Sequence, residues 1–290
     1  MLEKDFLIQS LLQCLQSEAL EERRMGRKSI IKRCAVLVAV CLLVFGGGRL
    51  FRWAEGQFRE LTFYIRPRTE AEYKVKAYAE ENGIHYSAYP SGIIELLERN
   101  PETEAFVLNY PVEYGKTRLV DLSEYKDCDA VPLFMQWDQR WGYIPYGQDV
   151  TGITGCGPVC LSMAAYYLTG SEEMSPDNMI RFALDNGYCV PGNGSSWTLI
   201  SEGGKKLGLD VTELPLDKNR IFSNLQVDNP VICVMGPGDF TQSGHFIVMT
   251  GIEEGKIRVN DPNSYANSEK LWDYEKIKDQ IRNIWAIRAP

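Results

Sequence analysis

A cysteine flanked by glycines stands directly before a predicted helix, in the segment Gly155-Cys156-Gly157-Pro158. Glycine on both sides removes bulk and lets a ligand approach the backbone closely. Apolar residues at helical spacing predict a helix over Val159–Thr169, with Pro158 in its first turn and Gly170 at its end. Cys156 is therefore expected at a helix N-terminus, where the partial positive charge favours the nucleophilic thiolate. A small buried cysteine is the alternative interpretation.

The sequence has two histidines, so a mechanism that needs an imidazole must use His85 or His245. His85 lies between a glycine and a proline and is interpreted as a surface histidine in a loop. His245 begins an apolar, β-branched segment that predicts a strand over Gly244–Gly251. A turn containing Gly255 and a second strand over Lys256–Asn260 follow, so the two strands are expected to form a hairpin.

The register of this hairpin predicts a neighbour for His245. If the turn centres near residue 254, the numbers of facing residues sum to about 508, and Asp261 faces Ile247. His245 then lies two residues away on the same face of the sheet. An aspartate there can orient the imidazole and stabilise its charged form. The alternatives are a hydrogen-bonded core histidine and an ordinary turn aspartate before Pro262.

Attack of a thiolate on a carbonyl creates an oxyanion, which needs preorganised donors. The backbone N–H of Cys156 is one candidate. A side-chain amide upstream is a second, and the sequence leaves three glutamines open for that role: Gln136, Gln139 and Gln148.

The other cysteines carry no recognisable motif. None of the eight stands in a C-x-x-C pair, which argues against a zinc ribbon or a thioredoxin-like site, and their density is too low for a disulfide scaffold. The scarcity of histidine argues against a His-rich metal site. Cys160, Cys189 and Cys233 are interpreted as core residues. The chemistry of Cys156 with His245 requires neither a metal nor an organic cofactor.

Composition limits the classes of partner. The chain of 290 residues is 44% apolar and can form one substantial domain plus a smaller part. Its net charge of −8 disfavours nucleic acid, because an acidic surface repels phosphates.

A membrane anchor is predicted near the N-terminus. Residues 34–48 carry no charge and follow a run of basic residues over 23–33, which places residues 1–33 in the cytoplasm and the rest outside. The apolar run spans about 22 Å, less than a hydrocarbon core of roughly 30 Å, and extension to Trp53 lengthens it. A cleaved signal peptide and a buried core helix are the alternatives.

Residues 54–130 are predicted to form an extracytoplasmic helical connector. Helices are expected over Glu70–Asn82, which Gly83 would end, and over Gly92–Asn100. The segment fits a spacer, a docking module or a propeptide-like cover. The predicted domains are therefore residues 1–33, 34–53, 54–130 and 131–290.

Four motifs in residues 131–288 together resemble the bacteriocin-processing (double-glycine leader) peptidase-like family, and especially its stand-alone branch in Gram-positive bacteria. They are Val131–Trp141, Gly155–Pro158, Gly244-His245-Phe246 and Asn260–Asn263. The chain has neither the Walker loop nor the six-helix membrane domain of transporter-linked members, which argues against coupled leader processing and export by this chain alone.

The resemblance implies an α+β fold of the papain-like cysteine peptidase type. A helix that carries the cysteine packs on an antiparallel sheet that carries histidine and aspartate, and here an anchor helix precedes them. It also implies that Cys156 is the nucleophile, His245 the general base and acid, and Asp261 the residue that orients the histidine. Gln136 matches the oxyanion glutamine of the family, although residues 137–155 then form an insertion and Gln148 is nearer in sequence.

The predicted function is thiol-dependent hydrolysis of peptide bonds in a peptide or protein substrate, by a protein tethered to the membrane. Three alternatives remain open: a cell-wall peptide hydrolase or amidase, a transpeptidase, and a catalytically silent binding module that meets a cell-wall or surface partner.

Overall fold

The computed structural model describes residues 69–116, 118–126 and 128–289. Most of them belong to one compact unit, Glu70–Ile84 with Ala88–Pro290, whereas Thr69 and His85–Ser87 belong to another. The predicted cytoplasmic segment, the anchor over 34–53 and residues 54–68 lie outside the described residues. Within the described ranges, no helix has the length and apolar character needed to cross a membrane.

The helices lie mainly in the N-terminal half of the described chain and around the sheet. In chain order they are α1 Glu70–Glu81, α2 Ser91–Arg99, α3 Glu104–Glu113, α4 Thr151–Thr154, α5 Cys156–Thr169, α6 Pro176–Asp185, α7 Gly204–Lys206, α8 Lys218–Leu225, α9 Tyr265–Ser268 and α10 Tyr274–Ile277. The helices predicted over Glu70–Asn82 and Gly92–Asn100 are confirmed within one residue at each end. The helix predicted over Val159–Thr169 begins earlier, at Cys156, and ends before Gly170, whose φ is +62°.

An antiparallel sheet forms the C-terminal half. The strands are β1 Pro145–Tyr146, β2 Asp149–Val150, β3 Cys189–Val190, β4 Gly194–Ser195, β5 Asp210–Glu213, β6 Val231–Met235, β7 His245–Glu253, β8 Lys256–Asn260, β9 Leu271–Trp272 and β10 Ile281–Arg288. Six of them pair in the order β5-β10-β6-β7-β8-β9, and β1-β2 and β3-β4 form two small hairpins. The mixed helix and sheet architecture agrees with the predicted α+β class.

Alternating side chains of the central strands supply two hydrophobic cores. On one face, Ile232, Val234 and Val248 pack in the same cluster as the apolar residues of α5. On the other face, Cys233 and Ile247 pack in a cluster with the apolar residues of α8 and α10. Because α5 is buried along most of its length against the first face, its N-terminus is held at a fixed place beside β7.

The β7–β8 hairpin has the predicted register at the end that carries the site. Glu254 and Gly255 form a two-residue turn in which both φ angles are positive, +51° and +72°. A shift in the pairing between Met249 and Gly251 moves the register by one residue, so that Val248 faces Asn260, as the sum of 508 predicts. Asp261 follows directly after β8 and therefore lies beside the start of β7.

Helices α1 to α3 belong to the same compact unit as the sheet. This unit extends across residue 130 without a break. Tyr78 of α1 donates a hydrogen bond to Asn109 of α3 at 3.0 Å. The Phe106 ring of α3 stacks on Tyr143, with ring centroids 4.4 Å apart, and the Tyr143 hydroxyl donates to the Phe106 carbonyl at 2.9 Å. A Cβ added at Gly142 would lie 2.8 Å from the Phe106 ring, so the ring fills the space above that glycine.

Replacing Phe106 by alanine is expected to lower the free energy of unfolding by about 3–5 kcal/mol, because the ring is fully buried and the cavity left behind can collapse only partly. Urea denaturation of the full chain measures the change. Val112→Ala in the same helix is the matched control, since Val112 is 48% exposed, and its effect should stay within about 0.5 kcal/mol. Equal effects of the two changes would contradict the packing role of Phe106.

Candidate active site

Cys156 is the first residue of α5 and is half-buried. The N–H groups of the first turn of a helix have no partner within the helix and point toward this end. Burial raises the pKa of the Cys156 thiol, but the side chain of His245 and the backbone N–H groups of Phe246 and Gly157 lower it, and the net shift is downward. The predicted position of Cys156 at a helix N-terminus is confirmed.

The small hairpin β3–β4 lies against the start of α5. A Cβ added at Gly157 would lie 2.7 Å from Cβ of Ser195, closer than two carbon atoms can pack. The hydroxyl of Ser195 in turn hydrogen-bonds the hydroxyl of Tyr146 at 2.7 Å. Glycine at position 157 therefore lets the hairpin form one wall beside Cys156.

Replacing Gly157 by alanine is expected to destabilise the protein by about 1–3 kcal/mol, because the added methyl group forces the β3–β4 hairpin away from α5. A second change, Ser195→Gly, removes the atoms that the methyl group would meet. The double variant should therefore lose less stability than the sum of the two single variants. Thermal unfolding of all four proteins gives the comparison, and strict additivity would contradict the proposed contact.

His245 and Asp261 form a buried pair. His245 is the first residue of β7, and its Nε2 lies 2.7 Å from Oδ1 of Asp261. The two residues are only 7% and 1% exposed. The Cys156 thiol and the His245 side chain lie close enough that each shifts the pKa of the other. Since Nε2 is occupied by Asp261, the other ring nitrogen, Nδ1, is the one left for the thiol.

Two further donors hold the Asp261 carboxylate, and a third hydrogen bond holds its main chain. The N–H of Asn263 donates to Oδ1 at 2.9 Å, and Nδ2 of Asn267 donates to Oδ2 at 2.8 Å. The backbone N–H of Asp261 donates to the Ser268 hydroxyl at 2.9 Å. Asn267 and Ser268 belong to α9, so this short helical turn fixes both the carboxylate and its main chain.

The charges of the three side chains support one another. Burial acts against the charged form of each, and it is the largest single influence in all three cases. The charge of Asp261, its hydrogen bond and the contact with Cys156 nevertheless raise the pKa of His245 to about 10. The contact with His245 and the two backbone donors lower the pKa of Cys156, and His245 with Asn267 lowers the pKa of Asp261. The arrangement favours a thiolate beside an imidazolium.

Gln136 lies near these residues, but its amide is already engaged. Its Nε2 donates to the carbonyls of Gly152 at 3.0 Å and Ile153 at 3.2 Å, which uses both hydrogens. Its Oε1 is buried and has no hydrogen-bond partner within the described part of the chain. Exchanging Nε2 and Oε1 of Gln136 would place the amide oxygen against the carbonyl oxygens of Gly152 and Ile153, which is unfavourable because all three are acceptors. The role of Gln136 as oxyanion donor stays a prediction, and it requires the amide to leave one carbonyl.

The other two candidate glutamines lie elsewhere. Gln148 is exposed, and its Oε1 lies near Gly192 in the β3–β4 loop. Oε1 of Gln139 accepts a hydrogen bond from Asn109 of α3 at 3.2 Å. Within the described ranges, neither residue forms a hydrogen bond with Cys156 or His245.

The aromatic residues that follow Gln136 mainly fill the core. Trp141, Tyr143 and Tyr146 are buried, and Trp137 is half-buried. The cysteines of the described ranges, Cys156 included, are all free thiols. Cys160 and Cys233 are fully buried as predicted, and Cys189 is half-buried.

The contacts of Asn267 and Ser268 with Asp261, six and seven residues earlier in the chain, were not predicted. The available signal was the cluster of polar residues after Asp261-Pro262.

The described chain is thus a mixed helix and sheet unit in which Cys156 begins a helix and His245 begins a strand that packs beside it. The model of the Peptidase_C39 like family matches residues 128–289, which is more than half of the chain. The chain belongs to this family, and the resemblance inferred from its motifs is confirmed.

Two solved structures similar to this chain share little sequence with it. A C39-like peptidase from Bacillus anthracis is 14% identical over 55% of this chain and 95% of its own, with a TM-score of 0.39. The peptidase domain of Streptococcus ComA, a bi-functional ABC transporter involved in quorum sensing, is 18% identical over 55% of this chain and 99% of its own, with a TM-score of 0.40. No curated protein matches the chain.

Proposed function

We propose that this protein is a cysteine peptidase in which Cys156 is the nucleophile, His245 the general base and acid, and Asp261 the residue that orients the histidine. The observation that carries the proposal is the buried pair of His245 and Asp261, 2.7 Å apart, together with a cysteine at a helix N-terminus whose pKa the imidazole lowers. Membership in a peptidase family adds independent support.

In the proposed reaction, the Cys156 thiolate attacks the carbonyl carbon of a peptide bond and forms a tetrahedral intermediate. His245 then gives its Nδ1 proton to the departing amine, which leaves an acyl-enzyme. A water molecule, deprotonated by His245, attacks the thioester and releases the acid, and Cys156 returns to the thiolate. Asp261 stays ionised throughout and holds the charged imidazole in place.

The oxyanion of the intermediate needs hydrogen-bond donors. The N–H groups at the start of α5 are preorganised for this purpose, since the helix fixes their direction before substrate binds. We assign this role first to the N–H of Cys156. Gln136 becomes a second donor if substrate binding draws its amide away from the carbonyl of Gly152 or Ile153.

The location is a separate part of the proposal. The uncharged segment over 34–48 and the basic run before it support a single membrane anchor with residues 54–290 on the outer side. Protease added to intact cells should then digest the C-terminal part of the wild type. A variant without residues 34–48 should be found in the soluble fraction and be protected inside the cell. Protection of the wild type, or equal fractionation of both proteins, would contradict the anchor.

Covalent labelling tests the catalytic proposal directly. The full chain in detergent is incubated with a peptidyl vinyl sulfone, and the modified cysteines are identified by mass spectrometry. Cys156 should be labelled selectively, and His245→Ala should slow the reaction by roughly tenfold to a hundredfold at neutral pH, because the thiolate loses its charged partner. Cys128→Ala, which removes an exposed thiol, is the control and should react like the wild type.

Equal labelling of several cysteines, unaffected by His245→Ala, would contradict an activated nucleophile. It would favour the interpretation of the domain as a binding module that has kept the fold without the reaction.

A further inference from the structure

Helices α2 and α3 meet the Asp261 turn through one carboxylate. Glu102 lies in the short connection between these helices and is half-buried. Its Oε2 accepts a hydrogen bond from the N–H of Tyr265 at 2.7 Å, and its Oε1 accepts one from the N–H of Ala266 at 3.1 Å. Both N–H groups belong to the first turn of α9, which has no partner for them within the helix. Glu102 therefore completes α9 although it lies 163 residues before Tyr265 in the sequence.

The turn that Glu102 completes is the one that holds Asp261. Asn267 and Ser268 of α9 hydrogen-bond the carboxylate and the N–H of Asp261, respectively. The Ser264 hydroxyl accepts from the N–H of Asn267 at 3.2 Å and thereby caps the same turn. A displacement of α9 would thus move donors that keep Asp261 ionised and directed at His245.

Asn100, which precedes the connection between α2 and α3, supports the contact of Glu102 with α9. Nδ2 of Asn100 donates to the Asn263 carbonyl at 2.5 Å, and Oδ1 of Asn100 accepts from the N–H of Glu102 at 3.1 Å. Nε1 of Trp137 also donates to the Asn263 carbonyl, at 3.2 Å. Asn100 fixes the backbone of Glu102 and binds the Asp261 turn at the same time. The two contacts are therefore mutually dependent.

The first turn of α3, which follows shortly after Glu102 in the chain, is anchored to the rest of the unit. Phe106, four residues after Glu102, is packed over Gly142 and stacked on Tyr143. Lys74 of α1 forms a 2.6 Å ion pair with Glu104. Glu102 therefore reaches α9 from a rigid support.

We propose that Glu102 is a positioning residue for the reaction, which holds α9 so that Asn267 and Asn263 keep Asp261 directed at His245. This inference rests on the proposed function. It makes residues 70–113 a part of the active-site support, in place of a spacer or a cover.

The experiment measures the rate at which iodoacetamide alkylates Cys156 in the full-length protein, as a function of pH, by mass spectrometry of the peptide that contains it. Four proteins are compared with the wild type: Glu102→Ala, Glu102→Gln, Asn267→Ala and the double variant Glu102→Ala/Asn267→Ala. Glu95→Ala is the matched control, since Glu95 is an exposed carboxylate on the neighbouring helix α2. Thermal unfolding is recorded for each protein in parallel.

Several other titratable groups near the site keep one protonation state over the pH range of the alkylation profile. Burial raises the pKa of Cys160, one turn along α5, and of Tyr146, so both stay neutral between pH 5 and about 8. On the outer side of α9, Tyr265 has a pKa raised by burial and by the charges of Asp138 and Glu102, so it too stays neutral there. Burial acts against the charge of Arg140, but its hydrogen bonds with Asp138 and Glu124 raise the pKa of the guanidinium, so Arg140 stays charged over this range.

Glu102→Ala should slow alkylation of Cys156 at pH 6 by roughly threefold to tenfold and move the midpoint of the profile to higher pH. Glu102→Gln keeps the size of the side chain and one acceptor, so its alkylation rate should lie between those of Glu102→Ala and the wild type. It replaces Glu102→Ala in the comparison if that variant does not fold. Since Glu102 acts through Asn267, the double variant should be little slower than the slower single variant. Glu95→Ala should match the wild type.

A profile for both Glu102 variants that coincides with the wild type, with only the unfolding temperature lowered, would overturn the inference and leave Glu102 a structural residue. Additive effects in the double variant would overturn it as well. Failure of the proposed function would give a different result, because the rate at which Cys156 is labelled would then be the same in the wild type and in His245→Ala.

Discussion

Replacing Cys156 by alanine is expected to lower kcat for peptide hydrolysis by a factor on the order of 10⁴ or more, because no other side chain at the start of α5 can form the acyl-enzyme. The fold should persist, since alanine is a good helix former and the cysteine side chain is only half-buried. The measurement is turnover of a mixture of quenched fluorescent peptides by the full-length protein, with circular dichroism to verify the fold.

Two comparisons make this result specific. Cys128→Ala removes an exposed thiol from the same protein and should retain wild-type turnover. A burst of one product per enzyme before steady state would reveal the acyl-enzyme in the wild type, and it should be absent from the Cys156 variant. Hydrolysis that persists in the variant at the wild-type rate would refute the assignment of the nucleophile.

Replacing Asp261 by alanine is expected to lower kcat by about 10²- to 10⁴-fold, because the imidazole loses the acceptor that orients it and stabilises its charge. Without the carboxylate the pKa of His245 falls from its raised value, so the imidazolium is lost at a lower pH and the thiolate forms at a higher one. The range of pH in which the thiolate and the imidazolium coexist should therefore narrow at both ends, and the loss of activity should be greatest at its acid and alkaline edges. The dependence of kcat on pH for the two proteins measures both effects.

Asp261→Asn separates orientation from charge. Its amide oxygen can still accept from Nε2 of His245, but its nitrogen would face the Nδ2 donor of Asn267, which must turn over to avoid a clash. We expect the kcat of Asp261→Asn to lie between those of the wild type and Asp261→Ala. Its pH dependence should resemble that of Asp261→Ala. Wild-type activity and an unchanged pH dependence in Asp261→Ala would contradict the role of Asp261.

Gln136 illustrates how a residue can lie near the site without being free to act. The amide is held by the carbonyls of Gly152 and Ile153, just before Cys156 in sequence. The N–H of Gln136 also donates to the Pro262 carbonyl at 2.7 Å, directly after Asp261. In the free protein this residue ties together the two segments that carry the nucleophile and the aspartate. A direct part in the reaction requires a rearrangement on substrate binding.

The family, the element that carries Cys156 and the register of the hairpin with His245 and Asp261 were determined by the sequence itself. Each depends on residues close together in the chain. Glycine and proline around Cys156 specify the start of a helix, and the alternation of apolar residues with a turn at Gly255 specifies which residues face each other. The turn in fact centres between Glu254 and Gly255, and the irregularity between Met249 and Gly251 restores the predicted pairing at the site.

The tertiary structure alone decided which partners surround that pair. Nothing local in the sequence indicates that Glu102 completes α9, or that the amide of Gln136 is used by two carbonyls. These contacts join separate segments of the chain, which the packing of the buried Phe106 and of α5 holds together. Periodicity and turn chemistry encode the geometry of single elements, whereas hydrogen bonds between elements depend on how their buried faces pack. That is why the nucleophile and its histidine could be found in the sequence, and the support behind Asp261 could not.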